Sequence, residues 1–104
     1  MHEIKDAKEL EKLITSNKVA FVEFSATWCG PCRMIGPKFK ELAEEYPDFT
    51  CIKVDVEDAP DIAREYAITS LPTFIIFVNG RQTGDLTGAN LEKLREKFEQ
   101  FKSA

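Results

Sequence analysis

Three cysteines and one histidine in 104 residues leave little for covalent or metal staples. A disulfide scaffold needs more cysteine than this, and a zinc module needs a second ligand pair that the chain lacks. Positive charge is also scarce. Fourteen Lys and Arg against eighteen Asp and Glu give a net charge of −4. Nucleic acid and anionic membrane surfaces are therefore excluded as main partners, because both call for a basic face. No apolar run approaches the ~20 residues of a membrane span, and no charged-then-apolar signal segment opens the chain. The expectation is a cytoplasmic monomer without membrane association. Repeats, low-complexity stretches and Pro/Gly/Ser-rich linkers are absent too, which predicts one domain over residues 1–104. What the chain does have is apolar material. Hydrophobic residues make up 43%, with eight Phe, enough to bury a core unaided.

The apolar residues alternate between two periods. After a short start near Glu3 and Ile4, Asp6 and Glu9 have the spacing of a capping box ahead of Leu10, Leu13 and Ile14. Residues 19–24 are almost continuously apolar, which predicts a central strand covered on both faces. A helix over residues 32–46 follows, with Met34, Ile35, Phe39, Leu42 and Ala43 as its expected buried stripe and Pro37 as an expected kink. Further strands are predicted at 50–56, 73–78 and 82–87, the last two joined by the hairpin signal Asn79-Gly80. Pro60 suits the first turn of a short helix over 60–66, and Asn90 can cap a helix that places Leu91, Leu94, Phe98 and Phe101 on one side. The order β-α-β-α-β-α-β-β-α describes an α/β domain with a mixed sheet and helices on both faces.

Cys29-Gly30-Pro31-Cys32 falls where the central strand has ended and the long helix begins. The attacking species in disulfide chemistry is the thiolate, and a free cysteine of pKa ~8.5 is mostly protonated near neutrality. A helix N-terminus offers unpaired N–H groups and a positive dipole end that favour the anion. Cys29, the outer member, is the candidate nucleophile. Cys32 lies one turn inward, close enough to form a disulfide with it. The other interpretations are a pair of buried small hydrophobes or half of a metal site, for which only Cys51 and His2 remain as ligands. In a cysteine-poor β-α-β chain, this spacing reads as a redox pair.

The segment Phe24-Ser25-Ala26-Thr27-Trp28-Cys29-Gly30-Pro31-Cys32-Arg33-Met34-Ile35-Gly36-Pro37 resembles the active-site segment of the thioredoxin family, and its lead-in is most similar to the eukaryotic cytosolic branch. Lys53-Val54-Asp55-Val56, Leu71-Pro72-Thr73-Phe74, Asn79-Gly80 and Gly88-Ala89 match family landmarks in order, so the resemblance covers the whole chain. It implies a thioredoxin fold, a central mixed five-stranded sheet flanked by four helices. It also implies a protein disulfide reductase in which Cys29 attacks and Cys32 resolves. No bound cofactor is implied. By the same resemblance, NADPH and FAD are expected to act indirectly through thioredoxin reductase, and the expected clients are proteins such as peroxiredoxins, ribonucleotide reductase and methionine sulfoxide reductase. The family's Gly-Pro dipeptide goes with a reducing potential, about −270 mV for thioredoxin.

Several other residues carry paired interpretations. Glu23 sits inside an apolar strand where the family usually has Asp, a proton acceptor for the inner thiol; the alternative is a structural ion pair with Lys53 on the neighbouring strand. Burial should raise its pKa. Pro72 is either punctuation at a strand start or, by resemblance, the cis proline that leaves the backbone before it free for a client. Leu71 departs modestly from the usual Met, Val or Ile there. Trp28 is either core or rim. With Gly30, Pro31, Ile68, Leu71, Gly88 and Ala89 it would make a flat apolar surface suited to varied clients. Cys51 is expected to be buried and inert rather than regulatory. Arg33 either adds positive charge near Cys29 or is merely solvated. Two other functions compete with the reductase: a redox-inert binding module, and a disulfide-forming or isomerising domain of the secretory pathway. The complete cysteine pair argues against the first, and the Gly-Pro dipeptide against the second.

Overall fold

Strand β2, Val19–Ser25, has all seven residues buried. Its near-continuous apolar run lets it sit in the middle of the sheet, with helices over both faces. The computed structural model describes residues 1–104 and contains one five-stranded sheet with four helices. Besides β2, the strands are β1 (His2–Glu3), β3 (Thr50–Asp55), β4 (Thr73–Val78) and β5 (Arg81–Thr87). Their order across the sheet is β1-β3-β2-β4-β5. β1, β3 and β2 run parallel, while β4 and β5 are antiparallel to their neighbours. The mixed sheet expected of the sequence is thus present.

The helices are α1 (Ala7–Ser16), α2 (Gly30–Glu45), α3 (Pro60–Glu65) and α4 (Leu91–Phe101). Strand alternation divides the core into two layers. Ala20, Val22 and Phe24 of β2 join Ile52, Val54, Ile75 and Phe77 under α1 and α3. Val19 and Phe21 join Cys51, Phe74 and Ile76 beneath α2 and α4, where the Phe21 and Phe98 rings stack 4.2 Å apart. Glu23 has the parity of Phe21 and so belongs to the layer covered by α2.

Local chemistry explains most element ends. Asn90 accepts a hydrogen bond from the Lys93 N–H at 3.0 Å and starts α4. Asn79 and Gly80 turn β4 into β5 with φ of 51° and 81°, the doubly positive geometry of a tight hairpin turn. Two expectations need correction. Asp6 caps α1 through the Lys8 N–H at 3.3 Å and not through Glu9, so the reciprocal capping box does not form. Met34 is 62% exposed, outside the buried stripe of α2. That stripe runs Cys32, Ile35, Phe39, Leu42, the three- and four-residue steps of one helix face, and Met34 lies about 100° around from Ile35.

β2 and β3 end, and β4 begins, at the same edge of the sheet, since Phe24 is paired with both Val54 and Thr73. That edge gathers the segment before α2, the β3–α3 connection and the Leu71–Pro72 bond.

Candidate active site

Helix α2 begins two residues before the expected start, at Gly30, with Pro31 in its first turn. Cys29 is therefore the N-cap, in extended geometry (φ −81°, ψ 113°). Its Sγ accepts a hydrogen bond from the Cys32 N–H at 3.2 Å, and its carbonyl accepts from the Arg33 N–H at 3.1 Å. The sulfur thus occupies the position that a side-chain oxygen fills in an ordinary capped helix, facing first-turn amides. Cys29 and Cys32 are joined as a disulfide, with Cα atoms 5.2 Å apart. Once reduced, a thiolate on Cys29 would meet the same N–H and the positive end of a sixteen-residue helix, both of which favour the anion.

The two cysteines line different grooves. Cys29 lines one of about 620 Å³ with Trp28, Gly30, Pro31, Ile68 and Leu71. Cys32 lines the other, of about 940 Å³, with Glu23, Arg33, Lys40 and Lys53. The first is walled mainly by apolar and hydroxyl-bearing side chains with one charge, Arg64, and the second largely by charged ones. Trp28 is 64% exposed, so it is rim and not core.

Glu23 is fully buried, and neither carboxylate oxygen has a hydrogen-bond partner. It is paired in register with Lys53 across β2 and β3, yet it takes part in none of the ion pairs that close within 4.0 Å. Desolvation pushes its pKa up to about 7, against a weaker pull downward from the Lys53 ammonium. The Glu23–Lys53 relation is a longer-range attraction between strand neighbours, not the direct ion pair considered from sequence.

The Leu71–Pro72 peptide bond is cis, as the resemblance implies. Pro72 is buried, and its carbonyl accepts from the Gly88 N–H at 2.8 Å. Leu71 is half-buried against Ala26, Cys29 and Cys32, and its own N–H and C=O have no backbone partner. Gly88 thus ties the β5–α4 connection to the proline, while Ala89 packs into the layer beneath α2 and α4. Neither residue lines the Cys29 groove. Conversely, Val56, Pro60, Ala63, Arg64, Thr69 and Ser70 do line it and were not singled out from sequence. Their signal was positional: they follow the carboxyl end of β3 or precede β4, the edge where open parallel sheets bind ligands.

Cys51 stands apart from the pair. It is buried among the side chains beneath α2 and α4, and burial pushes its thiol up to about 12. No cluster of three or more His, Cys, Asp or Glu is placed to hold a metal ion.

Known proteins match this chain in sequence and fold. The thioredoxin family model matches residues 2–100. Thioredoxin of Callithrix jacchus is 42% identical over 97 residues, covering 93% of this chain and 92% of that one. Thioredoxin-2 of Pyricularia oryzae is 40% identical over 95 residues; the match covers 91% of this chain but only 56% of that longer protein. The structure of Plasmodium falciparum thioredoxin superposes with a TM-score of 0.94 at 34% identity, over 97% of this chain and 99% of that one. Matched in sequence nearly end to end and in fold to this degree, the chain belongs to the thioredoxin family of thiol–disulfide oxidoreductases.

Proposed function

We propose that the chain is a general protein disulfide reductase that takes two electrons from a thioredoxin reductase and delivers them to client disulfides. The observation that carries this is the placement of Cys29, capping α2 and lining an apolar groove beside Leu71, whose N–H and C=O are unpaired. An extended client segment pairs with that backbone and rests on Trp28, Ile68 and Leu71, in the manner of an added strand. The Cys29 thiolate attacks one client sulfur. A mixed disulfide forms and the other client sulfur leaves as a thiolate. Cys32 then attacks the Cys29 sulfur, so the mixed disulfide breaks, the second client thiolate leaves, and the Cys29–Cys32 disulfide closes. The client is reduced by two electrons and this chain is oxidised by two.

Cys32 must lose a proton to attack. Glu23 lines the same groove as Cys32, and a carboxyl poised near 7 can both accept and return a proton near neutrality. We assign Glu23 that role, directly or through one water, with the Lys53 ammonium favouring its charged form against the desolvation that opposes it. Glu23→Gln is expected to slow resolution of the mixed disulfide. A resolution rate unchanged across pH 6–9 would remove Glu23 from the mechanism.

The reductase partner supplies FAD and NADPH chemistry, and the clients are of the peroxiredoxin, ribonucleotide reductase and methionine sulfoxide reductase kinds. The working form is a cytoplasmic monomer. Insulin reduction by dithiothreitol, followed by turnover with purified thioredoxin reductase and NADPH, tests the proposal. Wild type should accelerate the first and sustain the second, and Cys29→Ser should do neither. No acceleration by wild type, or a reduction potential in the oxidising ~−120 to −180 mV range, would overturn it.

A further inference from the structure

The groove in front of Cys29 carries a single charged side chain, Arg64; its other lining residues are apolar, glycine or hydroxyl-bearing. Arg64 sits in the last turn of α3 and is exposed. The four ion pairs within 4.0 Å do not include it, and its guanidinium makes no hydrogen bond. Asp61 and Glu65 on α3, and Glu57 and Asp58 before it, are the acids nearest in sequence. None of them lines the groove, and Asp58 is held by Lys5 at 3.8 Å.

We propose that Arg64 is a specificity residue that selects client segments bearing a carboxylate close in sequence to the attacked cysteine. The inference rests on the disulfide-reductase reading and narrows its substrate class. Backbone pairing at Leu71 is blind to side chains, and apolar contact with Trp28 and Ile68 accepts many of them. A lone guanidinium on the wall is not blind. Its planar fork matches a carboxylate through two parallel N–H donors. The setting sharpens the effect, because a chain of net charge −4 repels acidic segments in general. Arg64 supplies the opposite sign at the place where the client lies, which governs which partners dock more than how tightly they hold.

An exposed ion pair of this kind changes binding about two- to fivefold. The test uses reduced full-length protein and a series of uncharged peptides, each with a central cysteine joined by a disulfide to mercaptoethanol. Glu is stepped through the positions on either side of the cysteine, with Gln and Lys at the same positions as controls. The readout is the second-order rate of reduction, and the decisive quantity is the Glu-to-Gln ratio within each protein variant. Wild type is expected to favour Glu by about two- to fivefold at one or more positions, less so in high salt. Arg64→Ala should bring that ratio to one or below, and Arg64→Glu should shift preference to Lys. Because each ratio is taken within one variant, a change in overall activity or folding cancels. The inference is overturned if Glu exceeds Gln at no position, or if the preference survives in Arg64→Ala. Reduction of the Gln peptides without a Glu preference would leave the reductase function standing and remove only the role of Arg64. Failure to reduce any peptide would overturn both.

Discussion

Replacing Glu23 with Gln should make the oxidised protein more stable at alkaline pH and leave it nearly unchanged in acid. Glu23 is fully buried with both oxygens unpartnered, and its pKa rises from an ordinary 4.5 to about 7 in the folded chain. Between those values the folded state keeps a proton that the unfolded state has released. Stability therefore falls as pH rises through that window. At 1.36 kcal/mol per tenfold shift, the total loss is roughly 3 kcal/mol. Below pH 4.5 the carboxyl is neutral in both states and the loss disappears. Gln is neutral throughout and has nearly the same shape, so its advantage should grow from near zero at pH 4.5 to roughly 3 kcal/mol at pH 8.5. Using the disulfide form removes Cys29 and Cys32 from the titration. Other groups shared by the two proteins cancel in the difference. Urea unfolding followed by circular dichroism reads this as a midpoint gap that widens by about 1–3 M across the range. A difference that stays constant with pH, or one that grows toward acid, would refute the attribution to a desolvated carboxyl.

Further expectations concern residues away from that carboxyl. In native protein, iodoacetamide should modify Cys29 after reduction but leave Cys51 untouched until unfolding, because Cys29 lines an open groove whereas Cys51 is enclosed in the core with its thiol pushed up to about 12. Native labelling of Cys51 at the rate of a free thiol, seen by mass spectrometry, would contradict this. Two glycine substitutions should move thermal stability in opposite directions. Gly36→Ala, inside α2 with nothing within 4 Å of an added Cβ, should stabilise by about 0.5–1 kcal/mol. Gly84→Ala would place its methyl 3.0 Å from the Phe101 ring and should cost about 1 kcal/mol or more. A Gly84→Ala protein that melts no lower than wild type would count against this close approach of Gly84 to Phe101.

The parts of this molecule that were legible in the sequence are those governed by neighbours in the chain. β2 could be read as central because a strand buried on both faces has no polar side to alternate with. The Asn79-Gly80 turn was legible because few other pairs tolerate two positive φ angles. Cys29 and Cys32 were legible because helix starts favour anions and four residues span one turn. Met34 was misread because adjacent apolar residues share a composition but not a helix face. The Arg64 wall of the groove was not legible. It arrives on α3, thirty-five residues after Cys29, and only the parallel pairing of β2 and β3 brings the two together. The open Glu23–Lys53 relation lay equally out of reach, since register fixes which residues are opposite but not whether their side chains meet.

The division of labour between the two active-site cysteines is tested most directly by trapping. Cys32→Ser protein is mixed with a disulfide peptide, quenched with acid and analysed by mass spectrometry after digestion. A stable mixed disulfide should accumulate on Cys29, whereas Cys29→Ser should form none at a comparable rate. An adduct on Cys32 formed as fast by Cys29→Ser, or an adduct on Cys51, would contradict the assignment of Cys29 as the attacking sulfur.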